Sequence, residues 1–260
     1  MIELELTKAN RLRLARAFRD CPRVDLGIDC VIEGQMGQAF ADDVVSPAAW
    51  LIAAGPFRYF AGDARSPGGL EMVRLLPADA LLMPSAGEWS AVMGEVYGER
   101  LVAYPRFSFA ADTLSAEHLA GLLRQSRYCD AIRRVDLALA ARLLAEPNGP
   151  ADLSLFDSAD DFVERGVGFC VLDGDTVAGA ACSAGVCSRG IEVSIYVMPK
   201  FRRRGMATAL AAALAGHCLA EGLEPHWDAA NPDSYHLALK LGYHYMGMYE
   251  AYYLGDREGR

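Results

Sequence analysis

No apolar run in this 260-residue chain approaches the roughly 20 residues that a bilayer-spanning helix needs. The N-terminal stretch MIELELTKANRLRLARAF is charged and amphipathic, unlike a secretory leader, so no membrane role is expected and the cytoplasm is the expected compartment. The cysteines number seven, an odd count with no CxxC spacing, which indicates neither a disulfide framework nor a zinc site. Most are expected to be small core residues. A nucleophilic Cys182 or Cys187 near a sheet edge is the alternative. An excess of positive charge is also missing: the net charge of -9 argues against nucleic acid, whose binding rests on clustered Lys and Arg. Neither GxxxxGK nor GxGxxG occurs, which disfavours a nucleotide-phosphate site of those kinds. His217, His226, His236 and His244 have no ligand spacing, so core or surface roles are expected for each and no metal is expected.

What is present is the composition of a packed globular protein, 52% hydrophobic and 23% charged, long enough for one large domain or two small ones. Residues 136 to 260 carry 17 acidic and 10 basic side chains, against 17 and 15 in residues 1 to 135. An acidic half with one concentrated basic spot suits a protein that grips an anionic cofactor and attracts a cationic substrate.

Read in order, residues 3 to 20 predict an amphipathic helix with Leu4, Leu12, Leu14 and Phe18 among arginines. Strands are expected at IDCVIE and QMGQAFADD, then at PAAWLIAAG and FRYFAGD around a Gly-Pro turn. GGLEMVRLL reads as a helix, ALLMPS as a strand, GEWSAVMGEVYG as a helix and ERLVAYPRFSFA as a strand. TLSAEHLAGLLRQSR is a helix leading to a boundary near residue 130. IRRVDLALAARLLAE then supplies a strand and a helix, PNGP a loop, and SADDFVERG a short helix capped by Ser158. GFCVLDGDTVAGAACSAG is a hairpin about Asp173-Gly174. The expected division is an N-terminal α/β domain, 1–130, and a second domain, 131–260, each alternating strands and helices. Trp50, Phe57, Tyr59, Phe60, Trp89 and Tyr97 are expected as packing residues rather than a binding box.

The most informative stretch runs from Ile191 to Gly222. Ile191, Val193, Ile195 and Val197 alternate with Glu192, Ser194 and Tyr196, the period of a strand with one buried face. Pro199 ends the ladder, since it has no N–H to give. From Met206 the run ALAAALAGHCLAEG is strongly helix-forming, with Gly222 at its C-terminal end. Arg202, Arg203, Arg204, Gly205, Met206, Ala207 and Thr208 therefore lie at a helix N-terminus. First-turn N–H groups there lack intrahelical partners and carry the positive end of the helix dipole, which favours a diphosphate.

The spacing Arg202-x-x-Gly205-x-Ala207 straight after a strand, followed by EPHWDAANPDSYHLALKLGY, resembles the acetyl-CoA signature and the next strand and helix of the GNAT acetyltransferase superfamily. WDAAN, with the long N-terminal extension, further resembles the two-domain group that includes the zwittermicin A resistance acetyltransferases. The resemblance implies a fold of the α/β class with a mixed sheet, a C-terminal GNAT fold preceded by an α/β domain in the order of a degenerate GNAT-like half. It implies acetyl-CoA as acyl donor, with its pantetheine arm between two splayed parallel strands. The backbone of Ile195 and Val197 would hold the arm, Arg202 to Thr208 the diphosphate, and Asn231 would approach the arm. The Val197 N–H would face the thioester oxygen. Glu192, 13 residues before Gly205, stands near the position of the general base. The usual tyrosine acid position is Ala238, a departure from the pattern; Tyr235, Tyr243 and Tyr196 are substitutes to test, with Tyr235 taken as the catalytic candidate.

The leading expectation is an N-acetyltransferase that acts on a primary amine of a small molecule by direct attack in a ternary complex. The missing tyrosine motivates the alternative, an acyl-CoA-binding regulatory protein or pseudo-enzyme without turnover. Partners are expected to be a small-molecule amine, no nucleic acid and no membrane; a homodimer is compatible with this reading.

Overall fold

The computed structural model describes residues 1–146 and 151–255. The expected PNGP loop lies outside the described residues. The chain forms two compact units, Met1–Arg106 with the C-terminal segment from Met248, and Phe107–Gly247. Beside the expected division at residue 130, the helix that follows residue 114 packs with the second unit, and residues 248–255 belong with the first.

In the first unit the elements are β1 (Ile2–Glu3), α1 (Lys8–Ala17), α2 (Gly27–Ile32), β2 (Gln38–Ala41), β3 (Ala49–Ala54), β4 (Phe57–Gly62), α3 (Pro67–Arg74), β5 (Leu81–Leu82), α4 (Trp89–Tyr97) and the start of β6 (Leu101–Ala110). Strands β1 to β4 pair antiparallel in sequence, whereas β4 and β5 are parallel. The wholly buried run AWLIAA explains β3 as a central strand, and Phe60 packs on Trp89 with ring centroids 4.8 Å apart. Full burial of side chains of that size contributes about 1.5–3 kcal/mol each.

Two expectations for this half are corrected. The helix read over residues 3 to 20 is α1 alone: Thr7 caps it by accepting from the Asn10 N–H, Ile2–Glu3 form β1, and Leu12 is exposed. The strand read at IDCVIE is the helix α2. The Asp25 carboxylate accepts the Gly27 N–H at 2.9 Å, and Ile28, Cys30 and Val31 are buried. A turn closed by the Asp25 carboxylate just before the helix, together with tertiary burial, overrides the β-branched propensity of this segment.

The second unit contains the end of β6, then α5 (Ala116–Arg124), β7 (Ile132–Arg134), α6 (Leu137–Ala145), α7 (Ala159–Arg165), β8 (Gly168–Asp173), β9 (Thr176–Val186), β10 (Gly190–Val197), α8 (Met206–Ala220), β11 (Glu224–Ala229), α9 (Pro232–Leu241) and the start of β12 (His244–Leu254). Its strand order is β7, β8, β9, β10, β11, β6, antiparallel throughout except for the parallel pair β10 and β11. Ser115, Asp136, Ser158 and Asn231 each cap the helix that follows by accepting a backbone N–H. Helix α8 is buried through Ala209, Leu210, Ala211, Ala212, Leu214 and Ala215. Phe109, Trp227, Tyr243 and Leu241 pack with Ala211, Ala212 and Ala215 in the unit's core.

The two units share one connection order. In each, an antiparallel pair leads to a strand (β4 or β10), a helix (α3 or α8), a parallel strand (β5 or β11) and a second helix (α4 or α9). The last strand is exchanged: β6 runs on from the first unit to pair with β11, and β12 runs back from the second to pair with β5.

Candidate active site

The site begins where a parallel pair comes apart. Strands β10 and β11 are in register at Gly190 with Glu224, Ile191 with Pro225 and Glu192 with His226. Gly190 is required there, because a Cβ would lie 2.0 Å from the Glu224 carbonyl oxygen. Beyond Glu192 the two strands pair no further with each other. β10 keeps its antiparallel partner β9 as far as Val197, and β11 keeps β6 from Trp227 to Ala229. At the same point the β9 register skips Ala184, a bulge between Glu192 and Val193 that bends the ladder. The result is a gap, with Val193, Ser194 and Ile195 only half-buried and Tyr196 exposed, although the strand behind them is buried. The expected strict alternation from Ile191 to Val197 is therefore interrupted.

Above the gap stands the N-terminus of α8. Its N-cap is Gly205, in the left-handed region at φ 81°, and no side chain caps the helix. A Cβ built on Gly205 meets nothing within 4 Å, so glycine answers the backbone conformation and leaves space in front of the first turn. Met206 turns inward, its sulfur against Gly179 of β9, and anchors the turn to the sheet. Arg203 is also left-handed, at φ 60°, a strained conformation for a residue with a side chain. Such a succession of backbone N–H groups at an uncapped helix end forms a concavity for an anion.

The three arginines are not equivalent. Arg202 donates from Nε to the Val197 carbonyl at 2.8 Å and lies over the Tyr196 ring at 5.3 Å, so it braces the turn. Arg203 meets Asp233 at 3.3 Å with both side chains largely exposed, an ion pair of small energy. Arg204 is exposed. The Asn231 side chain accepts the Ser234 N–H at 2.9 Å as the cap of α9.

Glu192 is not alone in the gap. Its Oε2 lies 3.0 Å from Nδ1 of His226, with side-chain exposures of 20% and 6%. His226, expected to take a core or surface role, is buried, and its contact with Glu192 is what sequence reasoning missed. Its only signal is the parallel register, which depends on two segments separated by a helix.

Tyr235 is half-buried and meets Phe107, Phe109 and Tyr245 with ring centroids 5.1, 5.4 and 5.3 Å away. Val193 and Ile195 pack against the same cluster. Ala238, in the place of the usual tyrosine, is buried. Tyr243 is removed from the candidates for proton donor: it is buried and donates to the Pro225 carbonyl at 2.8 Å. Burial above all, then Cys218, Glu192 and Glu224, push its hydroxyl well above the ordinary tyrosine range. The cysteine alternative fails likewise. Cys182 and Cys187 are buried, and burial pushes the Cys182 thiol up to about 12. Among the described residues no group of three or more His, Cys, Asp or Glu side chains could hold a metal ion, and no helix is long and apolar enough to cross a membrane.

The chain resembles known proteins over most of its length. A family model described as GNAT acetyltransferase matches residues 23–252. An uncharacterized N-acetyltransferase of Bacillus subtilis (strain 168), YdfB, is 26% identical over 264 residues, covering 96% of this chain and 98% of that protein. The crystal structure of a GCN5-related N-acetyltransferase-like protein from Streptococcus suis 89/1591 superposes with a TM-score of 0.83 at 29% identity, covering 95% of this chain and 100% of that one. A tandem GNAT protein from the clavulanic acid biosynthesis pathway shares the fold, with a TM-score of 0.52 at 11% identity and 96% coverage of both chains.

Proposed function

The chain belongs to the GNAT acetyltransferase family, and on that premise we propose that it transfers an acetyl group from acetyl-CoA to a primary amine of a small molecule by direct attack in a ternary complex. The observation that carries this reading is the parting of β10 and β11 at Glu192 and His226 below an uncapped helix N-terminus. The fit to the donor is good on two counts. Gly205 leaves open space where a side chain would intrude, and the α8 first turn has no side chain competing for its N–H groups.

In this reading the backbone N–H groups from Arg203 to Thr208 hold the diphosphate, with Arg203 and Arg204 adding charge. The Ile195 and Val197 backbone holds the pantetheine arm along the unpaired edge of β10. The Val197 carbonyl is already engaged by Arg202, so Val197 contributes its N–H. Asn231, whose Oδ1 caps α9, faces the arm with its remaining amide group. Bound acetyl-CoA supplies the acetyl group as an activated thioester. Glu192 takes a proton from the ammonium form of the acceptor, directly or through water, so that the nitrogen can attack. The aromatic face of Phe107, Tyr235 and Tyr245 forms the apolar wall, with the Tyr235 hydroxyl as the candidate that returns a proton to the departing thiol. The products are an acetamide, free coenzyme A and one proton: the ammonium gives up its first proton through Glu192 to solvent, and the second, lost by the nitrogen after attack, balances the one gained by the thiolate.

The buried Ala238 favours a second reading, an acyl-CoA-binding regulatory protein without turnover. One experiment separates the two. A panel of small primary amines is incubated with acetyl-CoA and the full chain, and acetamide and coenzyme A are quantified by mass spectrometry beside Glu192→Gln. Equal amounts of both products, lost in the variant, support the enzyme; saturable acetyl-CoA binding with no product from any amine supports the regulator.

A further inference from the structure

His226 is the last residue of β11 to pair with β10, opposite Glu192, and its chain neighbours are held in place. The preceding residue, Pro225, accepts a hydrogen bond from the buried Tyr243 hydroxyl at 2.8 Å. The following residue, Trp227, packs on the Tyr243 ring at 5.3 Å and donates from Nε1 to the Ser234 hydroxyl at 3.1 Å. The close approach at Gly190 sets the register that brings the imidazole beside the carboxylate. Glu192 itself sits where the ladder is interrupted, half in the gap, on a side chain with three rotatable bonds.

A carboxylate that must meet an incoming amine gains from having its plane set beforehand, since misplacement by about 1 Å can cost on the order of 100-fold in rate. A base that is itself oriented by a third group is a recurring arrangement in enzymes. We propose that His226 is a positioning residue that holds the Glu192 carboxylate in its working orientation through the Nδ1 to Oε2 contact of 3.0 Å. This rests on the reading of Glu192 as the general base. A histidine that only fills the core would act on the fold and would be indifferent to what stands at position 192.

The test is a double-mutant cycle in the full chain, with initial rates on an amine found by the panel. His226→Ala is expected to lower kcat about 10- to 100-fold with little change in KM for acetyl-CoA. His226→Asn, which keeps a polar nitrogen in reach of Oε2, is expected to restore most of the loss. In a Glu192→Gln background, His226→Ala should cost no more than about twofold, because the residue it serves is already gone. An equal loss in both backgrounds overturns the proposal, as does an unchanged kcat in His226→Ala alone. Should the alanine variant fail to fold, 15N spectra of the imidazole in wild type and Glu192→Gln decide the pairing without any activity. A ring spectrum that responds to the Glu192 change supports it, and an unmoved one overturns it. If wild type turns over no amine, the reading of Glu192 as base falls and takes this proposal with it, whatever the ring spectrum shows.

Discussion

The two units run the same course through strand, helix, parallel strand and helix, yet at the corresponding place one is filled and the other is open. In the first, α3 is capped: the Ser66 hydroxyl accepts the Gly69 N–H at 3.0 Å. A Cβ on Gly68 would lie 2.2 Å from Cβ of Asp42, so an acidic side chain already crowds that turn. The backbone of β4 past its short pairing with β5 is engaged as well, the Phe60 N–H by the Ser85 hydroxyl at 3.0 Å. In the second, α8 has no side-chain cap, Gly205 faces open space, and β10 is half-exposed past Glu192. The same connection order therefore yields a packed support in one unit and a cleft in the other. A capping hydroxyl, a carboxylate and a serine make the difference.

The strongest way to break this contrast is Glu192→Gln, which removes the proposed base from the open unit. It should lower kcat by about 10²- to 10⁴-fold, the usual worth of general base catalysis, with acetyl-CoA binding retained. Steady-state kinetics beside calorimetry check it. Next is Gly190→Ala, which forces β10 away from β11 at the hinge of the gap. Overpacking against a backbone carbonyl should cost about 1–3 kcal/mol, read as a lower denaturation midpoint at unchanged slope. Ser66→Ala tests the filled unit. Loss of the cap should cost about 1 kcal/mol of stability, yet create no second acetyl-CoA site, because Asp42 still crowds the turn. The smallest effect concerns two buried thiols, that of Cys182, a candidate in the cysteine alternative, and that of Cys218. With the Cys182 and Cys218 thiols pushed up to about 12 by burial, only about one molecule in 10⁴ carries a thiolate at pH 8. Neither should be alkylated by iodoacetamide in the folded chain, as peptide mass spectrometry would show.

What could be read from the sequence followed local chemistry. The strand, Pro199, the arginines and Gly205 are contiguous, and so are the cap and helix at Asn231 and Pro232; these segments form the elements expected of them. The order of elements in the N-terminal half was also legible from its Gly-Pro turn and apolar runs, apart from β1, read as part of the first helix, and α2, where the Asp25 turn and tertiary burial outweighed β-branched propensity. What escaped depends on pairing at long range. The contact of His226 with Glu192 needs a parallel register across α8. The exchange of β6 and β12 between the units needs partners more than 100 residues apart, such as Trp227 with Phe109. No local pattern carries either.

The central claim is that the open unit, and only that one, takes acetyl-CoA at the α8 N-terminus. The most direct test is isothermal titration of acetyl-CoA into the wild-type chain and into Gly205→Glu, with thermal melting to show that the variant is folded. A glutamate there sets a carboxylate against the diphosphate, and loss of such charge-assisted contacts is worth about 1.5–3 kcal/mol, roughly 10- to 150-fold in Kd. The account predicts one site per chain in wild type, weakened at least that much in the variant. Two sites per chain, or an affinity unchanged by Gly205→Glu, would contradict it.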